Sequence, residues 1–241
     1  MHYHPLLTMR IPDRSDWMGQ TEAKLLLGID TCGPIGSVAL GRLRAGEVEI
    51  LGQTELEGRS YSSTLVTAVA ELLAHSGITL RELAAIVVVN GPGSFTGVRV
   101  GLAAVKGLAE ATGIPVIALS RLEVLAAKAE VPAAALDAHR QEVYLRLGGQ
   151  AREVLAGAVE LGEIDPAPGR IAVCDEAAEQ ILGAAWPGVE LVRMAVPSAA
   201  DALRLCAHGS REFGDLATLD GHYLRRSDAE IFGETAGPER R

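Results

Sequence analysis

Apolar runs alternate with glycine-rich turns along most of the chain, and their periods predict strands and helices in a regular order. Residues 24–32 are a continuous apolar run ending in Asp30 and Thr31, which predicts a buried strand that finishes in a carboxylate and a hydroxyl. Gly33-Pro34-Ile35-Gly36 turns the chain into a second strand at 37–41. Residues 47–56 alternate and predict a third, antiparallel strand. Residues 62–75 carry Leu65, Val66, Val69, Leu72 and Leu73 at helical spacing, a broad apolar face, and Gly77 stops that helix. A short helix over 80–85 is expected to lead into a β-branched strand at 86–89.

That strand opens the most distinctive stretch, Asn90-Gly91-Pro92-Gly93-Ser94-Phe95-Thr96-Gly97-Val98-Arg99. A glycine turn between a strand and a helix start makes a concavity lined with backbone N–H groups, which suits an anion, and Ser94 or Thr96 can cap the helix. The loop lacks the lysine of a Walker motif, and Gly91, Gly93 and Gly97 miss the dinucleotide spacing. Two readings stay open: a degenerate phosphate site (Gly91, Gly93, Ser94 and Thr96 with Asp30 and Asp137), or a tight turn whose glycines permit close packing. In the helix that follows, Arg99, Lys106 and Glu110 form one polar stripe. Gly97, Gly101, Val105 and Leu108 line one side, and Val100, Ala104, Gly107 and Ala111 line another. A helix on one sheet needs a single apolar side, so the second side predicts another neighbour.

A strand at 115–119 and a helix at 121–129 follow, and then the opening pattern returns. Residues 133–138 are an apolar run ending at Asp137, His139-Arg140-Gln141 turns the chain, and 142–147 alternates as a strand. The repetition predicts two lobes of similar build, each opening on a strand that ends in an aspartate. Strands at 170–174 and 190–192, a helix at 176–182 and a long helix at 199–213 complete the reading. The expected division is a loose extension at 1–22, an N-terminal lobe at 23–118, a C-terminal lobe at 119–233 and a loose tail at 234–241.

Composition narrows the function. Net charge is −9, which argues against the chain gripping nucleic acid unaided, because phosphate binding needs clustered cations. Hydrophobic residues make up 48% and aromatics 4%, so the core must be built from aliphatic side chains. The three cysteines are scattered, which fits a reducing cytoplasm, and no apolar run is long enough to span a membrane. No metal spacing of His or Cys and no nucleophile–base motif is found.

Taken together, Leu27-Gly28-Ile29-Asp30-Thr31, the Asn90–Arg99 string, Leu136-Asp137-Ala138 with Glu142-Val143-Tyr144, and Tyr223-Leu224-Arg225-Arg226 resemble the TsaB family. That family is also called YeaZ, the glycoprotease-like dimerisation subunit. The resemblance implies an α/β, duplicated two-lobed fold of the actin/Hsp70/sugar-kinase type (ASKHA, ribonuclease H-like). It implies a non-catalytic subunit that supports the transferase TsaD, together with the ATPase TsaE, in forming N6-threonylcarbamoyladenosine at position 37 of tRNAs reading ANN codons. The implied partners are TsaD and TsaE, or a second copy when the chain is alone, with tRNA met only through the complex. No cofactor of its own is implied, only ATP or ADP at the interface with TsaD. The family's pairing through its first two long helices makes Leu65, Val69, Leu72, Val100, Ala104, Gly107 and Ala111 the interface candidates. Tyr61 and Leu65 stand where the transferase carries a metal-binding His pair, so no metal role is transferred. Two other classes remain as alternatives: a small ATPase or kinase of the same fold acting alone, and an M22-type peptidase homologue.

Overall fold

The computed structural model describes residues 22–148, 152–208 and 211–225. The expected extension at 1–22, except Glu22, and the tail at 234–241 lie outside the described residues. The chain divides into two compact units, Met1–Val124 with Pro197–Gly221, and Leu125–Val196 with His222–Arg241.

In the first unit, β1 (Lys24–Asp30), β2 (Ile35–Arg44), β3 (Glu47–Glu57), β4 (Leu83–Val89) and β5 (Val116–Leu119) form one sheet in the order β3-β2-β1-β4-β5. β2 runs antiparallel to β1 and β3, whereas β4 is parallel to β1 and β5. The central strands read as near-continuous apolar runs because they are covered on both faces. Leu26, Leu27, Ile29, Ile86 and Val87 are wholly buried. On one face lie α1 (Tyr61–His75) and α2 (Phe95–Thr112). The expected helix at 80–85 is instead a 3-10 turn, Leu80–Glu82, followed at once by β4. Glu82 Oε2 accepts from the Thr79 N–H at 2.7 Å, which closes the turn and releases Leu83 into the sheet.

In the second unit, β6 (Ala134–Asp137), β7 (Val143–Leu147), β8 (Arg152–Ala156), β9 (Arg170–Val173) and β10 (Glu190–Arg193) form a sheet in the order β10-β9-β6-β7-β8. Read from its other edge, this is the order of the first sheet, with the same antiparallel and parallel pairings. The expected duplication is therefore a matched topology. α4 (Ala158–Gly162) and α5 (Glu176–Ala185) occupy the positions of α1 and α2. Trp186 closes the small aliphatic core, its Nε1 donating to the Leu161 carbonyl at 3.1 Å.

Two expectations are corrected. The lobe boundary lies within α3 (Arg121–Lys128), at 124/125 rather than 118/119. The last helix, α6 (Ala199–Cys206), was expected in the second lobe and to run to 213; it is eight residues long and packs on the first sheet. Its Ala199 N–H donates to the buried Ser37 Oγ at 2.8 Å, and Gly28 lacks the Cβ that would press on the Ala199 carbonyl. Gly209, a strong helix terminator, follows it in sequence.

Candidate functional site

Both repeats end their first strand in an aspartate that closes the following turn. Asp30 Oδ1 accepts from the Cys32 N–H at 2.8 Å, and Asp137 Oδ1 accepts from the His139 N–H at 2.8 Å. Asp does this readily, because its carboxylate reaches the backbone two residues ahead. From that shared turn the two ends diverge.

At the end of β1 the carboxylate is sealed in. Asp30 is 1% exposed, its Oδ2 makes no hydrogen bond among the described residues, and the nearest cation is Arg121, with Nε 3.8 Å away. Arg121 opens α3 and is itself buried, and its backbone N–H donates to the Gly91 carbonyl at 2.6 Å. The residues around this pair feel it. Burial first, and then the Asp30 charge, push the Cys32 thiol well above its usual range. The same two causes in the same order push the Tyr61 phenol up to about 12. Tyr61 is buried and donates to the Gly33 carbonyl at 2.7 Å, which ties the start of α1 to the turn after β1.

The glycine loop closes on the same strand end. The Ser94 N–H donates to the Cys32 carbonyl at 2.7 Å, and Ser94 Oγ caps α2 by accepting from the Gly97 N–H at 3.2 Å. Thr31 Oγ1 donates to the Gly97 carbonyl at 2.7 Å. A Cβ on Gly93 would overlap the Cys32 carbonyl oxygen, and one on Gly97 the Thr31 carbonyl oxygen. The two glycines therefore let α2 lie directly on the end of β1. Of the two readings of the loop, this geometry supports the packing turn: the N–H groups of Ser94 and Gly97 have partners within the protein. Gly91, Gly93, Ser94 and Thr96 lie together beside Asp30 in the first unit, whereas Asp137 belongs to the second.

At the end of β6 the carboxylate is half-buried. Asp137 Oδ2 lies 2.9 Å from His139 Nδ1, and its backbone N–H donates to Asp175 Oδ2 at 3.0 Å. Asp175 also caps α5, its Oδ1 accepting from the Ala178 N–H at 2.7 Å. His139, Arg140 and Gln141 all have positive φ, at 60, 56 and 61°.

The interface candidates separate into two groups. Leu65, Val69 and Leu72 lie in the core of the first unit and have no surface to offer; they are corrected to core residues. The main apolar face of α1 covers its own sheet, and the large apolar residue exposed on that helix is Val66, at 60% exposure. On α2 the first side, with Gly97, Gly101 and Val105, is buried, while Val100 and Ala104 are half-buried and Gly107 and Ala111 exposed. A Cβ on Gly107 would meet nothing within 4 Å. Among the described residues no group of three or more His, Cys, Asp or Glu is gathered for a metal, and no helix is long and apolar enough to cross a membrane.

This arrangement can be set beside known proteins. The family model "TsaD: tRNA N6-adenosine threonylcarbamoyltransferase" matches residues 53–172. The chain is 40% identical over 125 residues to the tRNA threonylcarbamoyladenosine biosynthesis protein TsaB of Haemophilus influenzae, which covers 49% of this chain and 51% of that one. It is 32% identical over 216 residues to the uncharacterized protein Rv3421c of Mycobacterium tuberculosis, covering 88% of this chain and 97% of the relative. The solved structure of YeaZ from Pseudomonas aeruginosa superimposes with a TM-score of 0.63 and 29% identity, over 83% of this chain and all of that one. The chain belongs to the TsaB (YeaZ) family. Its matched stretch spans about half the length of the Haemophilus TsaB. The fold of a TsaB-family chain is the duplicated, ASKHA-type α/β architecture described above. Sequence reasoning passed over Arg121 as a site residue, although a lone arginine inside the apolar stretch 115–126 is the signal that marks it.

Proposed function

We propose that this chain is a non-catalytic subunit of the machinery that makes tRNA threonylcarbamoyladenosine, and that it acts by pairing with a TsaD-type transferase. The observation that carries the reading is the outward side of α2, where Gly107 and Ala111 are exposed and Val100 and Ala104 half-buried, on a helix that packs against α1 with its exposed Val66. Small residues there let a partner helix approach closely, and contiguous apolar surface on a monomer marks an interaction site. A transferase of Ruegeria is itself 31% identical over 191 residues, so a partner of similar fold can take the place of a second copy. The sealed Asp30 and the self-satisfied glycine loop support a supporting role rather than phosphate chemistry of its own. TsaE joins through the complex, ATP or ADP binds at the interface with TsaD, and tRNA is met only through the assembly.

Sedimentation of the chain, alone and mixed with its cognate TsaD, tests the pairing. Ala104→Glu should weaken both self-association and TsaD binding, because an unpaired carboxylate buried in an interface costs several kcal/mol, roughly 2–7 for a polar group without a partner. Circular dichroism should be unchanged, since Ala104 is on the outward side. Unaltered association of the folded variant would remove α2 from the interface.

A further inference from the structure

The second unit leaves part of a helix bare where the first unit covers one. α5 is the counterpart of α2, and α4 is the counterpart of α1, but α4 has five residues where α1 has 15. In the first unit α1 packs against α2. In the second, the short α4 leaves a groove of about 530 Å³ beside α5. Its apolar lining is Ala158 and Leu161 of α4 with Ala177, Ile181 and Ala184 of α5. Ala177 and Ala184 are exposed and Ile181 is half-buried, so this wall is open to a further apolar side chain.

The chain itself is led to that groove. Residues 222–225 belong to the second unit and are pinned to it at both ends. His222 Nε2 lies 2.8 Å from Glu153 Oε2, a carboxylate that Arg146 also holds. Three residues on, the Arg225 guanidinium donates to the Ala138 carbonyl at 2.8 Å and pairs with Glu142. Ala138 and Glu142 face each other across the base of the β6–β7 turn, where the Ala138 N–H donates to the Glu142 carbonyl at 3.0 Å. The turn between them, residues 139–141, lines the groove. Glu142 also lies against the start of α4, its Cγ 3.6 Å from where a Cβ on Gly157 would stand. Arg225 is therefore anchored at the mouth of the groove.

Beyond that anchor the sequence runs Arg226-Ser227-Asp228-Ala229-Glu230-Ile231-Phe232-Gly233. Ile231-Phe232 is the one pair of adjacent large apolar residues after Arg225, and small or polar residues surround it. Leaving such a pair in water is unfavourable when apolar surface is in reach. The seven residues from Arg226 to Phe232 span at most about 25 Å, and α5, with ten residues, is about 15 Å long. The anchor also makes the contact intramolecular, so a modest apolar contact suffices to hold it. We infer that Ile231 and Phe232 of this chain's own tail occupy the α4–α5 groove and cover the bare wall of α5.

Hydrogen exchange read by mass spectrometry on the full chain tests this. In the wild type, the amides of 229–233 should exchange about tenfold more slowly than in a free peptide of that sequence, and equally slowly when the protein is diluted. Ala184 is an exposed position in the groove wall, so Ala184→Glu should leave the fold intact, set a carboxylate against the apolar pair and abolish the protection. Ile231→Ser with Phe232→Ser should bring the tail to its own free-peptide rate and speed exchange in α5. Ala104→Glu, on the first unit, should change neither. Protection that falls on dilution would put the tail in a second copy's groove and overturn the intramolecular assignment. Protection that survives Ala184→Glu would put the tail elsewhere, and a wild-type tail as fast as the free peptide would overturn the docking itself.

Discussion

The ends of β1 and β6 are built from the same turn and put to opposite uses. Asp30 is buried with Arg121 as its counter-ion, and the glycine loop closes over the same strand end. Asp137 is half-buried, holds an exposed histidine, and borders an open groove. Duplication preserved the strand order and the aspartate, while the surroundings of each carboxylate changed. A shared aspartate at equivalent positions therefore says where a turn is, and its surroundings say whether that turn can meet a ligand.

The largest expected effect breaks this contrast directly. Arg121→Met leaves Asp30 buried without its counter-ion and should cost about 3–5 kcal/mol. His139→Ala removes the matching partner of Asp137 and should cost less than about 1 kcal/mol, because the histidine is largely exposed to water. Urea unfolding of both variants measures the ratio; comparable losses would erase the distinction between a sealed end and an open one.

Next in size is the glycine loop. Gly97→Val drives a side chain into the Thr31 carbonyl and should cost about 3 kcal/mol, at the upper end for overpacking. Gly107→Ala, on the uncovered side of the same helix, should instead stabilise by about 0.5–1 kcal/mol, because alanine suits a helix interior better. Thermal melting of the two variants should shift in opposite directions.

The smallest effect sharpens the electrostatics. Tyr61→Phe loses the hydrogen bond to Gly33, worth about 1 kcal/mol at neutral pH. The folded phenol titrates at about 12, above its ordinary value of 10, because burial and then Asp30 oppose the phenolate. The folded state thus holds a proton that the unfolded state releases first, so this contribution is complete below pH 10 and is lost as pH rises toward 12. The wild type should lose stability more steeply than Tyr61→Phe between those values in denaturant titrations.

Most of the topology was legible because the central strands are apolar runs bounded by glycine turns, and because Asp30 and Asp137 recur in the same setting. β8 and α4 were not read: β8, Arg152-Glu153-Val154-Leu155-Ala156, neither alternates nor forms an apolar run as long as its neighbours, and α4 at five residues is too short to show a helical period. The length of α6 was overestimated because residues 207–213 continue a helical pattern past His208-Gly209. The site was less legible than the fold. Leu65, Val69 and Leu72 could be placed on a helix face, but periodicity does not say whether that face turns to the sheet or to a partner; the sheet had first claim. Asp30 could be read as a phosphate-site residue or as the cap of its own turn, and its neighbour Arg121 could not be foreseen because it is distant in sequence.

Reconstitution with purified components tests the assignment of a supporting role most directly. The chain alone should neither hydrolyse ATP with turnover nor form threonylcarbamoyladenosine on tRNA. Cognate TsaD with TsaE and a supply of threonylcarbamoyl-adenylate should form it efficiently only when the chain is added, and Ala104→Glu should reduce that gain. Multiple-turnover ATP hydrolysis by the chain alone, abolished by Asp30→Ala, would contradict the account.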